Sequence, residues 1–299
     1  MSSHPAHSPS KTTAYVPSNS VFKDDIFRGK VLFCTGGGTG ICQKMVEAVM
    51  RHGASAFIFG RRENVLHLAA SALSTDTLQR CSYAAGDVRS VESLEKAVAK
   101  CIAEFGRIDF VISGAAGNFL CPIDQLSSNA FKSVVEIDLL GTYNTVKATL
   151  PHIKASQGSF ISVSATLHYY GTPLQAHVSS AKAGVDALSQ ALAVEFGPHG
   201  IRSNVIAPGL IGDTEGFTRL STPESQKTIL KNIPLRRFGT RGDIANATVF
   251  LFSPAASYIT GTILICDGGE HHTRTPASFG DSDPTKQDLN KTKKPSSKL

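Results

Sequence analysis

Residues 30–60 read as one strand–turn–helix–strand unit, and that unit constrains the fold more than any other feature. Lys30-Val31-Leu32-Phe33-Cys34-Thr35 is a short apolar run that stops at Gly36-Gly37-Gly38-Thr39-Gly40. An amphipathic stretch from Ile41 to His52 follows, then Gly53 and a second apolar run, Ala56-Phe57-Ile58-Phe59-Gly60. Short apolar runs bounded by glycine are strands, and the periodic stretch between them is a helix. The alternation recurs at Ser82–Asp87, Phe110–Ser113, Ser159–Val163, Arg202–Ile206 and Thr262–Cys266. Strands alternating with helices imply a parallel sheet covered on both faces. The expected fold is therefore α/β, a Rossmann-like doubly wound parallel sheet in a single domain, with ligands bound at the carboxyl ends of the strands.

The 299 residues, 41% of them hydrophobic, suffice for one large core. Residues 1–22 and 271–299 are rich in Ser, Thr, Pro, Lys and His and poor in aliphatic periodicity, so both read as flexible segments around a domain spanning 23–270. The net charge of +6 is concentrated at the ends: residues 1–30 carry +2 and residues 271–299 carry +3, leaving about +1 for the core. Solvated tail charges explain this better than a nucleic-acid surface, so no nucleic-acid partner is expected. No apolar run is long enough to span a membrane, and the N-terminus has neither a signal-peptide apolar region nor an arginine before Arg28. Cys34, Cys42, Cys81, Cys101, Cys121 and Cys266 show no zinc spacing and sit mostly in apolar segments, as free thiols in a reducing compartment do. The chain closes on Ser297-Lys298-Leu299, a receptor-read address for the peroxisome matrix, carried on a basic and accessible tail.

Glycines after a first strand let backbone N–H groups approach a pyrophosphate whose charge then rests on a helix N-terminus. Thr35, Gly36, Gly38, Thr39, Gly40 and Ile41 occupy that place, and Cys42 stands where a further glycine is common. The end of the second strand distinguishes the two nicotinamide dinucleotides. An acidic residue there would hold the ribose 2′-hydroxyl of NAD, whereas Arg61-Arg62 favours the extra phosphate of NADPH. The competing view of Arg61 and Arg62 is a solvated pair at a helix start. Asp87 and Val88 suit the adenine edge, and Ser113-Gly114-Ala115-Ala116-Gly117 lets the backbone pass close to a cofactor.

Together, Thr35-Gly36-x-x-x-Gly40, Asp87-Val88, Ala115-Ala116-Gly117, Lys182 and Pro208-Gly209 resemble the short-chain dehydrogenase/reductase superfamily over about residues 26–270. Most of that family uses an Asn, Ser, Tyr, Lys tetrad. By spacing, this chain has Asp138 in place of Asn, Ala165 in place of Ser with Ser164 one residue out of register, and Val178 in place of Tyr; only Lys182 is kept. The Asp138–Lys182 pair resembles one branch, the peroxisomal 2,4-dienoyl-CoA reductases. Residues 115–122, Ala165-Thr166-Leu167, Ser180-Ala181-Lys182-Ala183 and Asp267-Gly268-Gly269 reinforce this, and Cys42 resembles the fungal members.

The resemblance implies an NADPH-dependent reduction of 2,4-dienoyl-CoA, an auxiliary step of fatty-acid β-oxidation. Hydride goes to C5 and a proton to C2, giving a 3-enoyl-CoA. The chemistry fits the exchanged residues, because a proton delivered to carbon needs no phenol beside an alkoxide. A water between Asp138 and Lys182 is the expected donor, with His177, His168, Tyr169 and Tyr170 as other acids or as pocket walls. Lys182 is also expected on the nicotinamide ribose, with Pro208, Gly209 and Ile211 bordering the cofactor. Asn118, Phe119 and His177 are expected to line the acyl-CoA cleft. Arg219, Lys227, Arg236 and Arg237 are candidates for the CoA phosphates, and residues 210–235, whose shape the sequence does not fix, bear on acyl-chain preference. The family usually assembles as homodimers or homotetramers. Two alternatives stand beside this reading: a tyrosine-free reductase of another enoyl or carbonyl substrate, and an inactive nucleotide-binding scaffold.

Overall fold

The computed structural model describes residues 17–273. Seven strands, β1 (Val31–Thr35), β2 (Ser55–Gly60), β3 (Cys81–Ala85), β4 (Phe110–Ser113), β5 (Ser159–Val163), β6 (Arg202–Pro208) and β7 (Ile263–Cys266), form one parallel sheet in the order β3-β2-β1-β4-β5-β6-β7. Helices α1 (Gly40–Arg51), α2 (Glu63–Thr77), α3 (Val91–Phe105), α4 (Ser128–Val135), α5 (Gly141–Ser156) and α6 (Ala176–Phe196) connect them. Beyond β6 come α7 (Glu215–Leu220), α8 (Pro223–Asn232), α9 (Arg241–Phe252) and, after β7, α10 (Glu270–Thr273). The expected doubly wound sheet is the observed one.

Strand periodicity divides the apolar residues between the two faces. Leu32, Cys34, Ala56, Ile58 and Ile112 pack on one side with Met45, Val46 and Val49 of α1 and Ile244 and Val249 of α9. Val31, Phe33, Phe57, Phe59 and Val111 pack on the other with Leu94 and Val98 of α3 and Val146 of α5. Every residue of β1 and β4 is buried, which explains why these strands read as unbroken apolar runs rather than alternating ones. The connection from β1 runs to one side and that from β4 to the other, so a crevice opens between their carboxyl ends.

Folded structure begins before residue 23. Ser18–Ser20 forms a 3-10 turn, the Ser18 hydroxyl pairs with His52 Nε2 at 3.0 Å, and Phe22 sets its ring edge-on to His52. At the other end His271 is tied to Asp267, so α10 carries the packed chain to Thr273. The expectations for residues 1–16 and 274–299, Ser297-Lys298-Leu299 among them, lie outside the described residues. Within residues 210–235 the chain forms α7 and α8. Among the described residues no helix is long and apolar enough to cross a membrane.

Candidate active site

Asp138 sits in a single π-helical turn, Glu136–Leu140, between α4 and α5, and is fully buried. Such turns occur often at functional sites, because the widened ladder re-aims a side chain. The Gly117 amide donates to Asp138 Oδ1 at 2.7 Å, which fixes the carboxylate against the segment leaving β4. Asp138 Oδ2 lies 3.1 Å from Lys182 Nζ. That oxygen receives no well-aligned hydrogen bond from the protein. Lys182, from the second turn of α6, donates instead to the Val163 carbonyl at the end of β5, at 2.9 Å. The two charges are thus held by separate backbone anchors and face each other across a contact that retains an acceptor.

Val178 lies one turn before Lys182 and is buried with Val134 and Ala181, against Val135, Leu139 and Leu167. The residue in the tyrosine place is core packing. Ser164 turns toward the Lys182 carbonyl at 3.5 Å, away from the carboxylate. The other acids divide. His168 Nε2 and the Tyr169 hydroxyl both meet Asp186 Oδ2, at 2.8 and 3.1 Å, and Tyr170 pairs with Thr166 at 3.1 Å. Burial and the Asp186 carboxylate push the Tyr169 phenol upward, which makes it a hydrogen-bond donor and not an acid at neutral pH. His177 is fully buried, its ring 4.2 Å from that of Phe119, and neither ring nitrogen makes a well-aligned hydrogen bond. Burial holds its imidazole below the usual value, against the opposing pulls of Asp138 and the Phe119 backbone. Asn118 gives an amide hydrogen to Gln175 at 2.9 Å.

The glycine turn fits a dinucleotide. Gly36 has φ +74°, and a Cβ there would stand 2.8 Å from the Gly114 carbonyl, so the ends of β1 and β4 approach as only glycine permits. Gly40 opens α1 with φ +63° and free space where a Cβ would point, and Thr39 caps the helix without a side-chain bond. The first N–H groups of α1 therefore face a cleft able to take an anion. Gly38 rests over Leu66 of α2, and Ile41 is half-buried behind the turn. The Thr35 hydroxyl is buried and accepts from the Gly114 amide at 3.2 Å, so Thr35 braces the two strand ends.

Arg61 and Arg62 follow β2, both exposed, and neither enters an ion pair among the described residues. Arg89 chelates Asp87 at 2.7–3.1 Å and holds that carboxyl below its ordinary range. Val88 is buried over Gly141, while Ala115 and Gly117 line the exit from β4. Pro208 ends β6, Gly209 lies against Asp267, and Ile211 is buried beside Gly239. Arg237 is consumed by Asp243 at 2.8 and 2.9 Å, which removes it as a phosphate ligand. Gln175, Arg89 and Asp186 are partners the sequence reading did not single out. Asp186 carried a signal: an acidic residue one turn after Lys182 in an otherwise apolar helix face.

This geometry agrees with comparisons to known proteins. Residues 36–271 match a family model described as enoyl-(acyl carrier protein) reductase. The chain is 53% identical over 257 residues to a peroxisomal 2,4-dienoyl-CoA reductase, (3E)-enoyl-CoA-producing, of Saccharomyces cerevisiae, covering 85% of this chain and 88% of that protein. It is 45% identical over 251 residues to the Danio rerio protein of the same description, covering 83% and 84%. A solved short-chain type dehydrogenase/reductase from Mycobacterium ulcerans superposes with a TM-score of 0.79 at 30% identity, covering 84% of this chain and 92% of that one. The family-model match over most of the chain and these identities show that the chain belongs to the short-chain dehydrogenase/reductase family.

Proposed function

We propose that the protein is an NADPH-dependent 2,4-dienoyl-CoA reductase that yields a 3-enoyl-CoA, an auxiliary enzyme of unsaturated fatty-acid β-oxidation in the peroxisome matrix. The observation that carries this reading is the buried Asp138–Lys182 pair at 3.1 Å with apolar Val178 in the phenol's place. The names of the relatives at 53% and 45% identity support the substrate and the compartment. A nicotinamide cofactor follows from the family, and the exposed Arg61 and Arg62 at the end of β2 favour its 2′-phosphorylated form. Ser297-Lys298-Leu299 is proposed as the handle for the import receptor, the packed span from Ser18 to Thr273, rather than the expected 23–270, as the catalytic domain, and a homodimer or homotetramer as the assembly.

Bound NADPH would supply a hydride to C5 of the conjugated thioester. The α1 N-terminus and the glycine turn would hold the pyrophosphate, and Lys182 would orient the nicotinamide ribose. Asp138 Oδ2, buried and lacking an aligned donor, accepts a hydrogen bond from a water whose other neighbour is the Lys182 ammonium. That water gives its proton to C2 as charge spreads over the dienolate, and the Asp138–Lys182 pair restores it from solvent. His177 and Phe119 wall the reacting carbons off from bulk water.

The test is loss of NADPH absorbance with 2,4-hexadienoyl-CoA. Turnover in the wild-type protein and loss of at least about a hundredfold in Asp138→Ala, with NADPH affinity kept, are expected from removal of the group that directs proton transfer. Tight NADPH binding without turnover would favour the scaffold alternative, and full activity in Asp138→Ala would move the proton source to His177.

A further inference from the structure

Reduction of a dienoyl thioester requires room for whatever acyl chain extends past the diene, and the structure holds a surface that continues from the reacting centre. Two ties join the segment after β4 to the segment after β5. Asn118 Nδ2 donates to Gln175 Oε1 at 2.9 Å, and the Cys121 amide donates to the Leu174 carbonyl at 2.9 Å. They bracket Phe119 and Leu120. Gly117 donates to Asp138, the Phe119 ring lies tilted against that of His177, and Leu120 follows at once, 43% exposed. Leu174 stands across the seam, also 43% exposed, and Ile123 lies two residues past the second tie, 77% exposed.

Three properties of this rim point to an apolar ligand. It is uncharged: residues 117–123 and 169–176 contain no Asp, Glu, Lys or Arg, so it offers nothing to the phosphates of CoA. It adjoins the catalytic carboxylate, since the Gly117 amide that starts this segment donates to Asp138 Oδ1 at 2.7 Å. And Leu174 is held at φ +66°, a left-handed conformation that glycine or asparagine adopts more readily. The part of Leu174 that stays exposed in this conformation is apolar surface that a hydrocarbon laid against it would cover.

We propose that Leu120, Ile123 and Leu174 form the wall for the acyl tail beyond the diene, so that the enzyme selects long acyl groups over short ones. The identity of the head group rests on the dienoyl-CoA reading. Each methylene laid against a wall open on its other side gains about 1.8-fold in affinity, and four of them about tenfold, which is a part of the effect of full burial.

Two measurements on the full chain test this. In the first, hexanoyl-CoA and decanoyl-CoA, which cannot be reduced, are titrated calorimetrically into the NADP-loaded protein; decanoyl-CoA is expected to bind about tenfold more tightly. In the second, the kcat/KM ratio of 2,4-decadienoyl-CoA to 2,4-hexadienoyl-CoA is compared between wild type and the variants Leu120→Ser, Leu174→Asn and their combination. Asparagine tolerates the left-handed backbone, so Leu174→Asn removes the side chain and not the turn, and its melting temperature should not fall. The ratio should approach one in the double variant. Equal binding of the two saturated thioesters by wild type, or an unchanged ratio in the double variant, would overturn the proposal. Loss of a dimer on sedimentation with the ratio intact would do so as well, by giving the patch to a second copy. Absence of dienoyl turnover in wild type would instead sink the functional reading, while the saturated thioesters still report on the wall.

Discussion

At the scale of single residues, the exchange of Val178 for a phenol is the most informative feature of the site. Val178 is buried among Val134, Ala181 and Leu167, and the carboxylate and ammonium that remain are anchored by the Gly117 amide and the Val163 carbonyl. Reintroducing the phenol should therefore not restore a conventional carbonyl reductase. Val178→Tyr enlarges a packed position and is expected to cost about 1–3 kcal/mol of stability, read as a drop in the urea midpoint, without giving activity on ketones. Stable, ketone-reducing Val178→Tyr protein would show that the pocket was preformed for a phenol. Arg61 allows a second test. A charge-assisted hydrogen bond contributes about 1.5–3 kcal/mol, so Arg61→Ala should weaken NADPH about tenfold or more by fluorescence titration and leave NADH nearly unchanged. Equal loss for both dinucleotides would make Arg61 a structural residue of the β2–α2 turn.

At the scale of elements, α9 shows how local chemistry seats the helix behind the glycine turn. Thr240 and Asp243 form a capping box at its start, and Arg237 adds two bonds to the same carboxylate. Burial opposes ionisation of Asp243, yet Arg237 and the Thr240 donors hold its carboxyl below the ordinary value. A depressed folded-state value means that this contribution is complete above the unfolded value of about 3.9 and is lost as pH falls through the folded one. Asp243→Asn should cost about 1 kcal/mol at pH 7, and the difference from wild type should shrink in urea unfolding near pH 3. A gap independent of pH would mean that the carboxylate's charge contributes nothing. The elements themselves were legible in the sequence, because most of β1 to β7 are short apolar runs, and their alternation with helices implies a parallel sheet, though not its strand order. Asp138 and Lys182 were legible through spacing against a family pattern. What pairs with what was not. Asp186 with His168 and Tyr169, Gln175 with Asn118, and Ser18 with His52 each join residues brought together only by tertiary packing, and Arg237 loses its candidacy as a phosphate ligand only once Asp243 is seen beside it. The packed turn at Ser18–Ser20 escaped for the same reason: its composition is that of a tail, and the partner that orders it is a histidine at the far end of α1.

At the scale of the whole molecule, the parallel sheet brings seven strand ends to one edge, and the reversal between β1 and β4 opens the crevice there. At Gly36 the two halves approach closely, since a Cβ on it would meet the Gly114 carbonyl at 2.8 Å. A cofactor laid over that turn would touch the exits of β1, β2 and β4 together, so its binding energy would act on unfolding of the entire domain rather than on one loop. NADPH at about one hundred times its dissociation constant should raise the unfolding free energy by about 2.7 kcal/mol, visible as a concentration-dependent rise in melting temperature. NADH at the same concentration should give a smaller rise, by the margin that Arg61 and Arg62 provide. Gly36→Ala places a side chain at φ +74° against the neighbouring backbone, so it should lower the melting temperature of the free protein and also shrink the NADPH-induced rise. The two effects separate the roles of the turn. If Gly36→Ala lowered the melting temperature but kept the full NADPH response, the glycine would serve the approach of β1 to β4 alone, and the pyrophosphate would have to rest elsewhere on α1.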